Sequence, residues 1–152
     1  MTAPPARAAV AGDLDGLLAL YAAAEVSAFA APRERAAAIW AELTASPDVT
    51  VFVALAAARV TASCVLVTAP NLLRAGRRLG YLDNVVTHPA HRRRGHGTAV
   101  VRTALEAAWR RDCHHVLLQS GRADPGVHRF YERCGFVPGA RTAYVAPRPD
   151  ET

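Results

Sequence analysis

No lysine occurs in the 152 residues, so all 18 basic side chains other than histidine are arginine. That excludes a P-loop, whose Gly-Lys-Ser/Thr ending needs the lysine amine. Cysteine is scarce as well. Cys64, Cys113 and Cys134 are an odd number without metal-type spacing, which predicts reduced thiols and neither a disulfide framework nor a metal centre. Hydrophobic residues make up 51% of the chain, yet the longest uncharged apolar run, Val49 to Ala58, is only strand length. A membrane span is therefore not expected, nor a membrane partner. The first ten residues, MTAPPARAAV, lack the apolar core of a signal peptide, and a cytoplasmic location is expected. Aromatic residues, 7% of the chain, do not interleave with the arginines to make stacking platforms. With a net charge of +5, the chain suits a polyanionic small ligand better than a nucleic acid.

What is present centres on Tyr81 to Thr98, YLDNVVTHPAHRRRGHGT. Val85, Val86 and Thr87 form an apolar, β-branched run that reads as the end of a buried strand. His88-Pro89 stops it, because proline cannot donate to a ladder and forces the preceding residue extended. Arg92, Arg93, Arg94, Gly95, His96 and Gly97 follow, and a helical pattern starts at Thr98. Strand, glycine-bearing turn and helix start together present free backbone amides and the positive end of a helix dipole to an anion. The glycines allow close backbone approach, and the arginines add charge and bidentate donors. A third glycine for the Rossmann fingerprint is missing, since position 100 is Val.

Along the chain, Arg7 to Val10 is a short first strand, and Asp13 is expected to cap a helix carrying Leu14, Leu17, Leu18 and Tyr21. A second helix runs from Pro32 to before Pro47, with small residues 22–31 looping between the two. Tyr21, Phe29 and Trp40 read as core aromatics. Thr50 to Leu55 and Val60 to Thr68 are antiparallel strands, and Leu79 to Thr87 is the central one. A helix over Thr98 to Arg111 should bury Val101, Leu105, Ala108 and Trp109. Val116 to Gln119 and Thr142 to Val145 read as further strands. Pro125 to Cys134 is a short helix with Gly135 as its left-handed cap. Residues 147–152 read as a loose tail. No repeat or linker divides the chain, so residues 1–152 are expected to form one domain. His88, His91 and His96 lie on a turn, and Cys113-His114-His115 are consecutive, so neither set predicts a metal site.

Two motifs carry a resemblance. Arg92, Gly95 and Gly97 fill R/Q-x-x-G-x-G/A behind an apolar strand and a proline, and Phe130, Tyr131, Gly135 and Phe136 fill F-Y-x-x-x-G-F. Together they resemble the acetyl-CoA motif and the last helix of the GNAT family of N-acetyltransferases. The resemblance implies an α/β fold with a mixed central sheet of about six to seven strands and about four flanking helices, splayed around the acetyl-CoA site. It implies an acetyl-CoA-dependent enzyme acting on a primary amine of a small molecule. The amides from Arg93 to Thr98, with Arg92, would take the pyrophosphate. The backbone of Val85, Val86 and Thr87 would pair with the pantetheine arm, and the Val85 or Val86 amide would polarise the thioester carbonyl.

The same resemblance makes Tyr131 the acid that protonates the leaving thiolate and Asp83 a base, directly or through water. A packing tyrosine and a strand aspartate bonded to neighbouring amides are the structural alternatives. Where the family often has an asparagine touching the cofactor, this chain has Asp124, which can accept but not donate while ionised. The acceptor pocket in the family is built by the N-terminal helices and the loop after Pro70. Neither holds a motif that names the amine. A protein N-terminus or lysine as acceptor, a non-catalytic acyl-CoA-binding domain and a homodimer all stay open.

Overall fold

In a computed structural model, residues 2–26 and 28–150 are described. Packing divides the chain after Leu118 into two compact units. The first contains one five-stranded sheet in chain order: β1 (Ala6–Ala8), β2 (Val49–Ala56), β3 (Arg59–Ala69), β4 (Arg78–Thr87) and β5 (Cys113–Leu117). The first three pairings are antiparallel, and β4 with β5 is parallel. The expected α/β class with a mixed sheet holds, with five strands instead of six to seven.

Strand β5 starts at Cys113, earlier than Val116. The Cys-His-His run therefore lies on a strand, with the His114 and His115 rings packed edge to face. Thr142 to Val145 forms no strand, and Tyr144 and Val145 are 90% and 76% exposed. A β-branched, aromatic run becomes a strand only where a neighbouring ladder or packing surface receives it. Of the expected tail, residues 151 and 152 lie outside the described residues, as does Ser27 in the expected loop 22–31.

Helices α1 (Leu14–Ala23) and α2 (Arg33–Ala45) cover one face of the sheet. Their shared core holds Leu17, Leu20 and Trp40 against Val51, Val53 and Val60. Asp13 does not cap α1 forward as expected. Its carboxylate accepts backward from the Val10 amide at 2.7 Å and from Arg7 at 2.6 and 3.1 Å, holding β1 to a short 3₁₀ turn. Those bonds from Arg7 keep the Asp13 carboxyl below its ordinary value against the opposing effect of burial.

Helix α3 (His96–Arg110) covers the other face, starting two residues before the expected Thr98. Its buried stripe is Val100, Val101, Ala104, Ala107 and Ala108, while Trp109 is 52% exposed. Val101 and Ala108 are buried as expected, Leu105 is half-buried, and Trp109 departs from the expected stripe. Alanines face the sheet because they let helix and sheet approach closely, and the indole is turned outward. The second unit contains α4 (Pro125–Arg133), capped by Asp124, whose Oδ1 accepts from the Gly126 amide at 2.8 Å. Gly135 follows with φ of +97°, the left-handed cap read from the sequence.

Gly80 sets how closely β4 and β5 approach. A Cβ there would meet the His115 carbonyl oxygen at 2.9 Å and Val116 Cγ2 at 3.0 Å. Gly80→Ala should therefore cost about 1–3 kcal/mol in urea denaturation through overpacking. An unchanged midpoint would show that β5 can shift without penalty.

Candidate active site

Strand β4 does not pair evenly along its length. Against β3, Val65 pairs with Asp83 but Ser63 pairs with Val86, so Asn84 and Val85 stand opposite the single residue Cys64. This is a β-bulge, and its first residue, Asn84, has φ of +50°. Asparagine tolerates that left-handed conformation better than most residues, because its short side chain can bond locally. The bulge resets the alternation of side chains. Without it, Asn84 would face α3; with it, Asn84 and Val86 both line a cavity on the α1–α2 side. On its other edge β4 pairs with β5 only from Arg78 to Tyr81. Beyond Tyr81, among the described residues, no strand pairs with the backbone of Leu82 to Thr87 on that side. The two parallel strands thus make a fork, with Val85, Val86 and Thr87 on its open arm.

The open arm leads directly into the anion-type turn. After a 3₁₀ turn at Pro89–His91, Arg93 has φ of +60° and Gly95 φ of +84°, and α3 begins at His96. The first helical bond enclosing this turn is Ala99 N–H to the Gly95 carbonyl at 2.9 Å. The amides of His96, Gly97 and Thr98 are first-turn donors with no intrahelical acceptor. A Cβ on Gly95 would meet only Pro4 Cδ, at 3.6 Å, so the glycine is required by its φ and not by crowding.

Arg92, Arg93 and Arg94 are exposed. Ion pairs among the described residues join Arg7–Asp13, Arg33–Asp15, Arg77–Asp112, Arg78–Asp48 and Arg148–Asp150, and none takes Arg92, Arg93 or Arg94. Amide donors, a helix dipole and three arginines without an acidic partner fit a pyrophosphate such as that of acetyl-CoA.

His96 and Gly97 are buried at the foot of this turn. His96 Nδ1 lies 2.7 Å from Thr61 Oγ1, and that hydroxyl is also 3.1 Å from the Ala54 carbonyl oxygen. A hydroxyl has one proton, and the carbonyl can only accept it. With that proton given to the Ala54 carbonyl, His96 donates from Nδ1, and its neutral tautomer then carries the proton there. Burial, then the neighbouring His91 and Arg94, push the His96 pKa down. The His91 ring meets those of His88 and His96 edge to face, at 5.5 and 4.8 Å between centroids. Among the described residues no group of three His, Cys, Asp or Glu side chains is arranged to hold a metal ion.

The cavity measures about 340 Å³ and lies between α1, the following loop, α2 and the bulged part of β4. Tyr21, Phe29 and Trp40 all line it. Phe29 is not a core residue as expected but 42% exposed, standing 6.2 Å from Tyr21 between ring centroids. Burial raises the Tyr21 pKa. The Ser63 hydroxyl opposes that rise, although it does not reach full hydrogen-bond geometry. Asp83, the register partner of Val65 on β3, lies on the same face of the sheet, exposed, with Oδ1 accepting from the Asn84 amide at 2.8 Å.

Tyr131 and Asp124 belong to the second unit. There the Tyr131 ring packs against Phe130 and Phe136, at 5.0 and 6.0 Å between centroids. The structure thus brings together Asp83, Val85, Val86, Thr87 and the turn from Arg92 to Thr98. Sequence reasoning missed the side to which Asn84 turns and missed Thr61 as the partner of His96. Asn in mid-strand directly after Asp, both poor strand formers, was the readable signal for the bulge.

Comparison with known proteins agrees with this geometry. Residues 14–136 match the model of the acetyltransferase (GNAT) family. The chain belongs to that family. A solved structure from Agrobacterium tumefaciens str. C58, a protein whose name places it among the acetyltransferases, is 42% identical, with a TM-score of 0.88 over 95% of this chain and 99% of that one. Glucosamine 6-phosphate N-acetyltransferase 1 of Oryza sativa subsp. japonica is 40% identical over 76 residues, covering 50% of this chain and 44% of that protein. The enzyme of the same activity from Trypanosoma brucei brucei is 32% identical over 78 residues, 51% of each. The chain spans about half the length of the curated relatives it matches.

Because the folded pKa of His96 lies below the ordinary 6.5, the unfolded chain takes up the proton first. The stability tied to neutral His96 is complete above about pH 6.5 and drains away as the pH falls towards the lower folded value. Denaturation midpoints should drop between pH 7 and 5 in the wild type and less steeply in His96→Asn. Equal slopes would remove His96 as the source.

Proposed function

We propose that the chain is an acetyl-CoA-dependent N-acetyltransferase that acetylates a primary amine of a small molecule by direct attack in a ternary complex. The fork in β4, which continues into the arginine-lined turn, is the observation that carries this reading. A linear donor with a polyanionic end needs an open strand edge for its arm and an anion cradle for its phosphates, in that order along the chain. Both occur within residues 82–98.

Acetyl-CoA, when bound, supplies the acetyl group as an activated thioester. Amides from Arg93 to Thr98, with the side chains of Arg92 to Arg94, hold its pyrophosphate. Backbone groups of Val85, Val86 and Thr87 bond the pantetheine arm, and the Val85 or Val86 amide donates to the carbonyl oxygen as charge develops there. Asp83 takes the proton from the acceptor nitrogen, directly or through water, and Tyr131 Oη supplies one to the departing sulfur. The role of Tyr131 is carried over from the family pattern, as is contact with the cofactor by Asp124. The products are an amide and a free thiol.

Direct attack is favoured over an acyl-enzyme by the state of the thiols. Cys64 is buried 3.5 Å from the Val100 carbonyl oxygen, and burial pushes its pKa up to about 12. Burial raises Cys113 too. A protonated thiol under a sheet is a poor nucleophile. The curated relatives act on a small amine, which supports the same acceptor class here.

Gly95→Glu should weaken acetyl-CoA binding in calorimetry about a hundredfold, since it adds a negative charge and a strained φ to the cradle. Gly95→Ala adds only the strain and should lose far less. Unchanged affinity in Gly95→Glu would remove the turn as the phosphate site.

The chemical step is tested by two further variants. Tyr131→Phe should lower kcat about a hundredfold with acetyl-CoA affinity intact, the mark of a contact made in the transition state. Asp83→Asn should lower kcat with partial recovery at higher pH. Wild-type kinetics in either variant would return that residue to a structural role.

A further inference from the structure

The lining of the cavity says what kind of amine could enter it. Its walls are Leu17, Leu18, Phe29, Ile39, Trp40 and Leu43, with valines from the sheet beneath them. Among the described residues, no Arg, His, Asp or Glu contributes to the lining. The Trp40 indole N–H, which could serve a polar ligand, is already committed to the Ala11 carbonyl oxygen at 3.0 Å. The remaining polar side chains among the described lining residues are Asn84, on β4, and Tyr21, which neighbours Ser63 beside that strand. Beside them the buried Ser63 hydroxyl has no hydrogen-bond partner, and Ser63 pairs in register with Val86. The cavity is thus apolar along its body and polar at one end. That end is formed by the strand that would present the acetyl group.

We propose that the acceptor is a primary amine with an apolar aryl or alkyl body, seated among α1, α2 and the bulge with its nitrogen towards Asn84 and Tyr21. This rests on the acetyltransferase reading and deepens it. A cavity of about 340 Å³ lies at the small end of ligand pockets, which run from roughly 300 to 1,000 Å³, and holds a body of one ring or a short chain. Burying that body against leucine and aromatic walls is favourable, whereas a phosphate or several hydroxyls placed there would be stripped of water without partners. The sugar phosphate named for the curated relatives has the right nitrogen but the wrong body for these walls. At the polar end, the raised pKa keeps Tyr21 a neutral phenol, and the Asn84 side chain can accept from the amine. Asp83, on the same face, attracts the incoming ammonium group.

The test uses the full chain with 2-phenylethylamine and glucosamine 6-phosphate as probes. Saturation-transfer NMR without acetyl-CoA should show 2-phenylethylamine bound, with its ring protons most strongly saturated. Thiol release should then give a kcat/KM for 2-phenylethylamine about tenfold or more above that for glucosamine 6-phosphate. Ala28, exposed on the rim, allows the cavity to be filled from outside the fold. Ala28→Trp should raise KM for 2-phenylethylamine about tenfold with acetyl-CoA affinity unchanged. Ile39→Trp, at a second partly exposed lining position, repeats the test if the first variant fails to fold.

Equal or better turnover of the sugar phosphate, absent NMR saturation, or an unchanged KM in the filled variants would overturn the assignment. Failure to bind acetyl-CoA in calorimetry would instead overturn the acetyltransferase reading, and the NMR result would still report on the cavity by itself.

Discussion

The two-for-one pairing of Asn84 and Val85 against Cys64 is the constraint on which the rest of the site depends. A strand side chain alternates with a period of two, so a single extra residue inverts everything beyond it. Before the bulge, Leu82 is buried in the α3 layer and Asp83 faces the α1–α2 layer. After it, Val86 faces that same layer instead of the opposite one. The extra residue also bends the strand. The ladder with β5 has already ended at Tyr81 and Leu117, so the bent segment carries backbone groups with no neighbouring strand on one side. One left-handed asparagine thereby aims a polar side chain into the cavity and accompanies the opening of the strand edge.

The turn after β4 is costly by itself. Left-handed backbone at Arg93 and strain elsewhere in such turns cost on the order of 1–3 kcal/mol each, and three adjacent arginines repel one another. The helix that follows offsets this. Val100, Val101, Ala104 and Ala108 are fully buried against the sheet, and Cys64 on β3 contacts the α3 backbone. His96 bonds Thr61 on the same strand, at the very start of the helix. The turn is thus clamped at its exit by a buried polar contact and an apolar stripe. Its charged rim is free to meet a ligand.

The turn and its helix were legible in the sequence because their signals are local: Pro89, the spacing of Arg92, Gly95 and Gly97, and the helical period after them. Gly135 as a left-handed cap was legible for the same reason. What escaped depends on partners distant in the chain. The exposed Trp109 looked like stripe material until Ala104 and Ala107 proved to face the sheet. Thr142 to Val145 had strand composition but no ladder to join, and strand propensity is a statement about fitting a half-buried surface. Asp13 was a good N-cap by type, yet Arg7 and the Val10 amide, brought beside it by β1, claimed its carboxylate first. For the site, the strand end at Val85 to Thr87 and the turn after it could be read from sequence, but the cavity could not. Its walls come from α1, the loop after it, α2, β2, β3 and β4, which only the fold brings together.

Charge is divided sharply between the two halves of the site, and that division follows from how the arginines are used. Arg7, Arg33, Arg77 and Arg78 are each tied to an aspartate, which removes much of their field from the surface around α1, α2 and β4. Among the described residues Arg92 to Arg94 have no such partners, and they sit where the helix dipole adds to them. On the proposed reading, an anionic donor would be drawn to this end of the fork, and among the described residues no cationic side chain lines the cavity to compete for its phosphates. On the proposed reading, an acceptor cation would be repelled by the arginine turn and attracted to Asp83, so electrostatics would favour different places along β4 and the turn after it for the two ligands. An apolar cavity strengthens that sorting, because a phosphate that strays into it gains no counter-charge and loses its water.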